Sequence, residues 1–493
     1  LEHQLTLIKN NLEMKVSVMF PARLVGMLCI AAILTLASGC QKETTEPADL
    51  KGDVPVMLKS GQANEFIVIS KSEILPAGLD RKLSAYGEIV SMTPEIGVMV
   101  VRPAASDSRD KISKLPEVRA VVPDYNARWI EPAMNLSEAT AESIGDNERF
   151  FSYQWNMRAI SAPQAWDAGY TGEGVRVFIL DNGIDADNPD IRPNLNTQLS
   201  YSFVPDEPWY ASEGSFFNHG THVAGIVAGA DNQWGIIGVA PHAELVAVKV
   251  LRESTGSGNF SWIFNGIVYS ALNGADVINM SLGAWIDRAG FFQDEEGNWH
   301  HMPAADYQNL IIAQQRAIDY AWRSGAVVIA SAGNEGMNAD GNRSLIKVPG
   351  ELNNVLAVSA TAPECWWGQQ NPFLDYPASY TDYGRSLIDI AAPGGDFDCD
   401  TYDMILSSAA GGPASYTFYF GAGTSQAAPH VAGVAALVIG KYDGNITPLE
   451  VTRILTLTAD KIETNGQSLF YGKGRVNAWR AVTETIPGRG RFN

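Results

Sequence analysis

VRVFILDNGID, residues 175–185, carries the reading of the fold. Val175 to Leu180 is almost wholly apolar, is bounded by Gly174 and Asp181, and shows no polar alternation, which suits a strand covered on both faces of a parallel sheet. Runs of the same kind recur at Leu245 to Leu251, Val277 to Met280, Val327 to Ser331 and Val355 to Ser359. Helical patterns separate them, notably Ser261 to Asn273 and Gln308 to Ser324. Strands alternating with helices predict an α/β domain with a mostly parallel central sheet, whose functional residues sit at the carboxyl ends of strands. Asp181 stands at such an end.

At 493 residues the chain is long enough for more than one domain. A composition of 46% hydrophobic and 18% charged residues fits a globular protein rather than a disordered one. The formal net charge of −20 disfavours nucleic acid and anionic membrane surfaces as partners. Of the four cysteines, Cys29 and Cys40 fall in the amino-terminal segment; Cys365 and Cys399 either pair in an oxidising compartment or stay free.

Residues 1–39 read as a leader and signal peptide. Lys15 and Arg23 precede LVGMLCIAAILTLASG, which has the length of a signal-peptide core and is too short for a comfortable membrane span. Met14 looks a better start than the residues before it. The ending Leu36-Ala37-Ser38-Gly39-Cys40 resembles the lipobox of bacterial lipoproteins, which implies a lipid on Cys40; ordinary secretion after Ser38 or Gly39 is the alternative. Export is expected either way. Residues 40–60 are polar and read as a linker. In 61–128, strand patterns at Glu65 to Ser70, Gly87 to Met92, Gly97 to Arg102 and Val118 to Val122, with helical patterns at Ile74 to Tyr86 and Ser106 to Leu115, predict a small α+β domain of ferredoxin-like order. A second linker spans 129–150, the large domain 151–485 and a tail 486–493.

Four residues of the large domain invite a chemical reading: Asp181 in LDNGID, His219 in NHGTHVAG, Asn334 in ASAGNEG and Ser425 in GAGTSQAAPHVAG. Each has a plain structural account singly, since aspartate and asparagine favour turns and serine caps helices. His219 and His222 alone do not make a zinc set. Together the four supply an acyl-transfer site. A serine hydroxyl needs an imidazole to take its proton, the imidazole needs a carboxylate to orient it, and the developing oxyanion needs donors. In order and motif the chain resembles the subtilase family of serine peptidases, over about its last two-thirds. The resemblance implies a subtilisin-like three-layer fold, with Asp181 orienting, His219 as base then acid, Ser425 as nucleophile and Asn334 on the oxyanion.

The resemblance implies more. KLPEVRAVVPDYNARW is similar to the end of an inhibitory propeptide, which makes 61–128 an intramolecular inhibitor and chaperone and 129–150 the region of self-cleavage. Gly256-Ser257-Gly258 and Ser281-Leu282-Gly283 look like strands that bind an extended peptide or unfolded protein. ADNQWGIIG resembles a calcium loop, implying a structural Ca²⁺ held by the carbonyls of Ala230, Trp234 and Ile236 and the side chains of Gln154, Asp190 and Asn232. The implied protein is a monomer with no organic cofactor, touching membrane only through Cys40.

Departures from the family pattern are also legible. Gln426 stands where many relatives have methionine after the nucleophile. Lys347 aligns with the floor of the primary specificity pocket, where it either narrows the pocket, favours an acidic side chain, or points to solvent. The connection Trp285 to Asp306 is long and is expected at the cleft rim, where His300 and His301 with nearby acids offer metal ligands but read better as polar side chains facing solvent; residues 361–380 read as a second rim insertion. Two other readings stand beside a general endopeptidase: a narrow maturation peptidase, and a catalytically silent surface binding protein on the same fold.

Overall fold

The computed structural model describes residues 65–130, 137–138, 148–212, 218–294, 298–341, 344–410, 418–463 and 468–484. The expected leader at 1–39, the linker at 40–60 and the tail at 486–493 lie outside the described residues. All described residues belong to one compact unit, Pro55–Asn493. No helix among them is long and apolar enough to cross a membrane.

The small domain has the expected element order. Strands β1 (Phe66–Ser70), β2 (Gly87–Thr93), β3 (Val98–Pro103) and β4 (Val118–Pro123), with helices α1 (Leu79–Leu83) and α2 (Ser108–Ser113), form an antiparallel sheet in the order β2-β3-β1-β4. Alternation along the strands splits their side chains between two cores. Val68, Met99 and Val101 pack on Leu79, Leu83 and Ile112 of the domain's own helices. Ile67, Ile69, Val98 and Val100 join the core of the large domain instead. The helix expected over Ile74 to Tyr86 is shorter, because Pro76 disfavours helix before it and Gly78 adopts φ 80° immediately before α1.

The large domain is built on a sheet in the order β8 (Tyr201–Ser202), β9 (Glu244–Lys249), β7 (Arg176–Asp181), β11 (Val277–Met280), β15 (Val327–Ser331), β17 (Val355–Ala362) and β19 (Ile390–Pro393), all parallel. Only the short β18 (Tyr376–Pro377) runs antiparallel, on β17. One face is covered by α5 (His219–Ala228) and α8 (Thr424–Lys441), the other by α6 (Phe260–Leu272) and α7 (Ala304–Arg323). Helices α3 (Trp155–Ala159), α4 (Ala162–Asp167), α9 (Pro448–Thr458) and α10 (Ala478–Thr483) complete the first layer. Helix α8 is buried from Thr424 through Ile439, so it is the central helix of the fold.

The docking of the small domain explains much of its chain. Helix α6 has no side-chain cap of its own, and Asp124 supplies one: its carboxylate accepts from Ser261 N–H at 3.2 Å and Ser261 Oγ at 2.6 Å. Burial pushes the Asp124 carboxyl up to about 6. Arg316 on α7 donates to the carbonyls of Ser70, Ser72 and Ile96.

Two insertions are more ordered than a loop reading suggests. After Gly283 the chain forms β12 (Ala284–Asp287), which pairs antiparallel with β16 (Leu345–Val348), then a hairpin of β13 (Phe291–Gln293) and β14 (Trp299–His301), and α7 begins at Ala304. His300 pairs with Asp294 and His301 packs on Phe291, which is the structural use of both histidines. Cys365 of the second insertion is disulfide-bonded to Cys399 outside it, with Cα atoms 5.5 Å apart, so the paired alternative holds. Trp366 packs against Trp155, and Trp367 stacks on Tyr153 at 4.7 Å.

Candidate active site

Asp181 is the last residue of β7 and His219 the first of α5. The helix start is fixed by Asn218, whose side chain accepts from Thr221 N–H, while Asn182 Oδ1 accepts from Gly220 N–H at 3.0 Å. These caps bring the imidazole to the strand end. His219 Nδ1 lies 2.9 and 2.8 Å from the two carboxylate oxygens of Asp181, both residues being buried. An acceptor there fixes the tautomer with a proton on Nδ1 and leaves Nε2 able to accept one. Among the described residues Nε2 has no hydrogen-bond partner. His222 turns elsewhere, its Nε2 3.0 Å from the Tyr419 carbonyl, and burial pushes it down to about 4.

Ser425 is the second residue of α8, a position whose N–H has no intrahelical acceptor. Helices α5 and α8 meet at their first turns, with Gln426 Nε2 3.5 Å from His222 Nδ1. The serine is 7% exposed, and its Oγ donates to the Ser281 carbonyl at 3.1 Å. Ser281 Oγ in turn donates to the Ser425 carbonyl at 2.8 Å. That carbonyl would ordinarily accept from the residue four positions on, which is Pro429 and has no N–H. Asn334 is positioned from the same turn, since its Oδ1 accepts from Thr424 N–H and Thr424 Oγ1, each at 2.8 Å. A Cβ placed on Gly423 would stand 3.4 Å from Asn334 Nδ2 and 3.6 Å from Ser425 N, so both donors border one small space.

The two stretches expected to bind peptide hold a peptide already, the chain's own. Strand β10 (Ser257–Asn259) pairs antiparallel with β5 (Asn126–Arg128), with Ala127 opposite Gly258. Trp129 N–H donates to Gly256 O at 3.3 Å, and Gly283 N–H donates to Trp129 O at 2.8 Å. The Trp129 indole is buried, donates to Gly258 O and packs edge-on to Phe260. Farther on, β6 (Ser137–Glu138) pairs with β21 (Phe418–Gly421), which also pairs with β20 (Ile405–Ser408) and leads into α8. Leu282 is buried between Ser281 and Gly283.

Lys347 does not point to solvent. It is 2% exposed, with Nζ 3.0 and 3.1 Å from the Glu335 carboxylate oxygens and 3.8 Å from Asp382 Oδ2. Trp285 Nε1 donates to Asp382 at 2.7 Å. A Cβ on Gly333, which adopts φ 118° beside Asn334, would fall 2.4 Å from Lys347 Nζ. The lysine head thus fills space directly beneath the Asn334 loop with its charge compensated. Glu335 directly follows Asn334 in ASAGNEG, though nothing there marks it as the partner of Lys347, and no motif announces Asp382 in sequence.

The six residues proposed for calcium converge around one loop. Asp190 is fully buried and burial pushes its carboxyl up to about 7. Its oxygens accept from Ile236 N–H and Asn232 Nδ2; Asn232 Oδ1 accepts from Trp234 N–H, and Gln154 Oε1 from Ile237 N–H. The Trp234 carbonyl accepts from Arg149 N–H, and the Ala230 N–H donates to Asp190 O. Glu148 stands next to the loop, accepting from Gln233 N–H, and burial with the Asp231 carboxyl pushes it up too. A buried acid short of compensating charge among oxygen donors fits a hard divalent cation. Glu148 was not foreseen as a neighbour, because it falls in the stretch read as linker.

An imidazole held by a buried carboxylate at the end of β7, and a serine at a helix start tied to the end of β11 with donors beside it, define a serine hydrolase on an open α/β sheet. The Subtilase family model matches residues 172–474. Subtilisin NAT of Bacillus subtilis subsp. natto is 38% identical over 331 residues, 67% of this chain and 71% of that one. Thermitase of Thermoactinomyces vulgaris is 35% identical over 336 residues, 68% of this chain and 97% of that one. In fold, the chain is similar to the crystal structure of the epidermin leader peptide processing serine protease of Staphylococcus aureus, with a TM-score of 0.66, 21% identity, and coverage of 86% of this chain and 99% of that one. The chain belongs to the subtilase family and is a subtilisin-like serine endopeptidase.

Gln426 is buried beside Ser425 and brings no sulfur to that position. Casein hydrolysis by the wild type is therefore expected to outlast that of Gln426→Met under matched peroxide exposure, because a thioether there oxidises to a bulkier polar sulfoxide. Residual activity against time checks this; equal loss in both would contradict it.

Proposed function

We propose that the protein is an exported serine endopeptidase that hydrolyses peptide bonds through an acyl-enzyme on Ser425 and is made as a self-processed zymogen. His219 Nε2 takes the hydroxyl proton as Ser425 Oγ attacks the carbonyl carbon, and later returns it to the leaving amine. Asp181 holds the Nδ1 proton and stabilises the imidazolium. Asn334 Nδ2 and the Ser425 N–H receive the oxyanion, at a helix start whose dipole also favours negative charge. A rotation of Ser425 Oγ from the Ser281 carbonyl to the imidazole prepares the attack. The compensated Lys347 supports a narrowed specificity pocket rather than one that attracts acids.

One observation carries the zymogen reading: residues 126–130 lie along Ser257–Asn259 and Gly283 as an added strand, where an extended substrate pairs. The small domain then acts as the inhibitory propeptide. With 126–130 on one side and Ser137–Glu138 on β21 on the other, self-cleavage is assigned to 131–136. The leader supports export with a lipid on Cys40. A narrow maturation peptidase is the second reading, supported by the filled space at Lys347 and by the fold likeness to a leader-processing protease. Calcium, when bound by Gln154, Asp190, Asn232 and the carbonyls of Ala230, Trp234 and Ile236, supplies charge compensation and stability and takes no part in the chemistry.

Two outcomes are expected. The wild type converts to a form whose new amino terminus lies between 132 and 137, while Ser425→Ala stays full length; equal processing of both, read by intact mass and terminal sequencing, would defeat the mechanism. Chelation is expected to lower the melting temperature of Ser425→Ala, where autolysis cannot interfere. Saturating calcium about 100-fold above its Kd should restore about 2.7 kcal/mol, roughly 3 °C in a chain of this length, and Asp190→Asn should lose that response. An unchanged melting temperature would remove the calcium site.

A further inference from the structure

The chain in the cleft stays in register upstream of Asn126. The Tyr125 carbonyl accepts from Phe260 N–H at 3.2 Å, so backbone pairing with the large domain extends beyond β5. The Tyr125 side chain packs with the large domain rather than with the small domain's own core. Its ring meets Phe292 edge-on, with centroids 5.4 Å apart and planes at 68°. Phe292 is buried on β13, opposite His300 on β14, and the His300 ring, tied to Asp294, lies 5.7 Å from it. The hairpin therefore holds an aromatic wall against the occupant of the cleft.

The polar end of this position is also defined. Asp306 lies in the first turn of α7, buried, with Arg109 of the small domain 3.1 Å from its carboxylate. Asp306 and Tyr125 line the same cavity, and burial first, then the Asp306 charge, push the Tyr125 phenol up to about 12. Tyr125, Trp262, Phe292 and Asp306 all border one cavity of about 1030 Å³. Arg109 belongs to the small domain and departs with it, so a substrate meets Phe292 together with an Asp306 carboxylate that has lost this partner.

We infer that the β13–β14 hairpin and the first turn of α7 form a further subsite, which takes an aromatic side chain four residues before the substrate residue that replaces Trp129, and which rejects an acidic one. This rests on the cleft reading above, with Tyr125 standing in for a substrate side chain. An edge-on aromatic pair at this spacing strengthens binding by about three- to tenfold over alanine.

The test uses the processed enzyme freed of its small domain and fluorescently labelled peptides of the sequence VVPDYNARWI, residues 121–130. Anisotropy reads their binding to enzyme whose Ser425 hydroxyl has been blocked with an organofluorophosphonate, so no peptide is turned over. The Tyr125→Phe peptide should bind nearly as tightly as the parent, Tyr125→Ala about three- to tenfold more weakly, and Tyr125→Glu more weakly still. Phe292→Ala should bring the tyrosine-to-alanine ratio within about twofold, and Phe292→Leu, which keeps apolar volume, should do the same if the alanine variant misfolds. Asp306→Asn should narrow only the gap between alanine and glutamate. Ratios are taken within each enzyme, so a general loss of affinity cancels. No binding of the parent peptide, or the same tyrosine-to-alanine ratio in wild type and Phe292 variants, would overturn the subsite. Failure to hydrolyse casein would instead count against the catalytic reading and leave the binding ratios interpretable.

Discussion

The reciprocal pair between Ser281 and Ser425 is the joint on which the site depends. Pro429 denies the Ser425 carbonyl its helical donor, and a buried carbonyl left unpaired costs about 1–3 kcal/mol. Ser281 Oγ meets that need and Ser425 Oγ donates back, so the end of β11 and the first turn of α8 are tied together across 144 residues of sequence. Thr424, one residue earlier, anchors the Asn334 amide by its oxygen and so directs the amide nitrogen. Because α8 is buried along nearly its whole length, the joint transmits the rigidity of the core to the serine. The Asp181–His219 pair is set independently, by β7 and the caps of α5.

The small domain uses the same economy of backbone. One face of its sheet completes the large domain's core over α6 and α7, Asp124 caps α6, and the strand that follows adds to β10. Backbone pairing of this kind selects little by sequence; selection falls to side chains such as Trp129, buried edge-on to Phe260. The hairpin at Phe291–His301 extends that logic beyond the strands themselves.

Much of this was legible in the sequence. The unalternated apolar runs at Val175 to Leu180 and Val327 to Ser331 gave strands buried on both faces, and the βαββαβ order of the small domain followed from its alternation. Asp181, His219, Asn334 and Ser425 were legible because each sits in a local motif. What was not legible depends on pairings distant along the chain. Nothing near Ser281 announces that its hydroxyl serves residue 425, although Pro429 four residues after Ser425 was a usable signal. Lys347 could be placed by alignment, but its charge state in the site depends on Glu335 and Asp382, which come from other loops. The connection at Trp285 to Asp306 looked like a loop because its strands are only three or four residues long and pair with one another or with β16.

The central claim is that Ser425 is a nucleophile activated by His219 and Asp181. Its most direct test is covalent labelling of the processed enzyme with an organofluorophosphonate, followed by peptide mass mapping. The account predicts a single adduct on Ser425 that is lost in His219→Ala whose small domain has been removed by wild-type enzyme added in trans. An adduct on another residue, or equal labelling of Ser425 without the histidine, would contradict it.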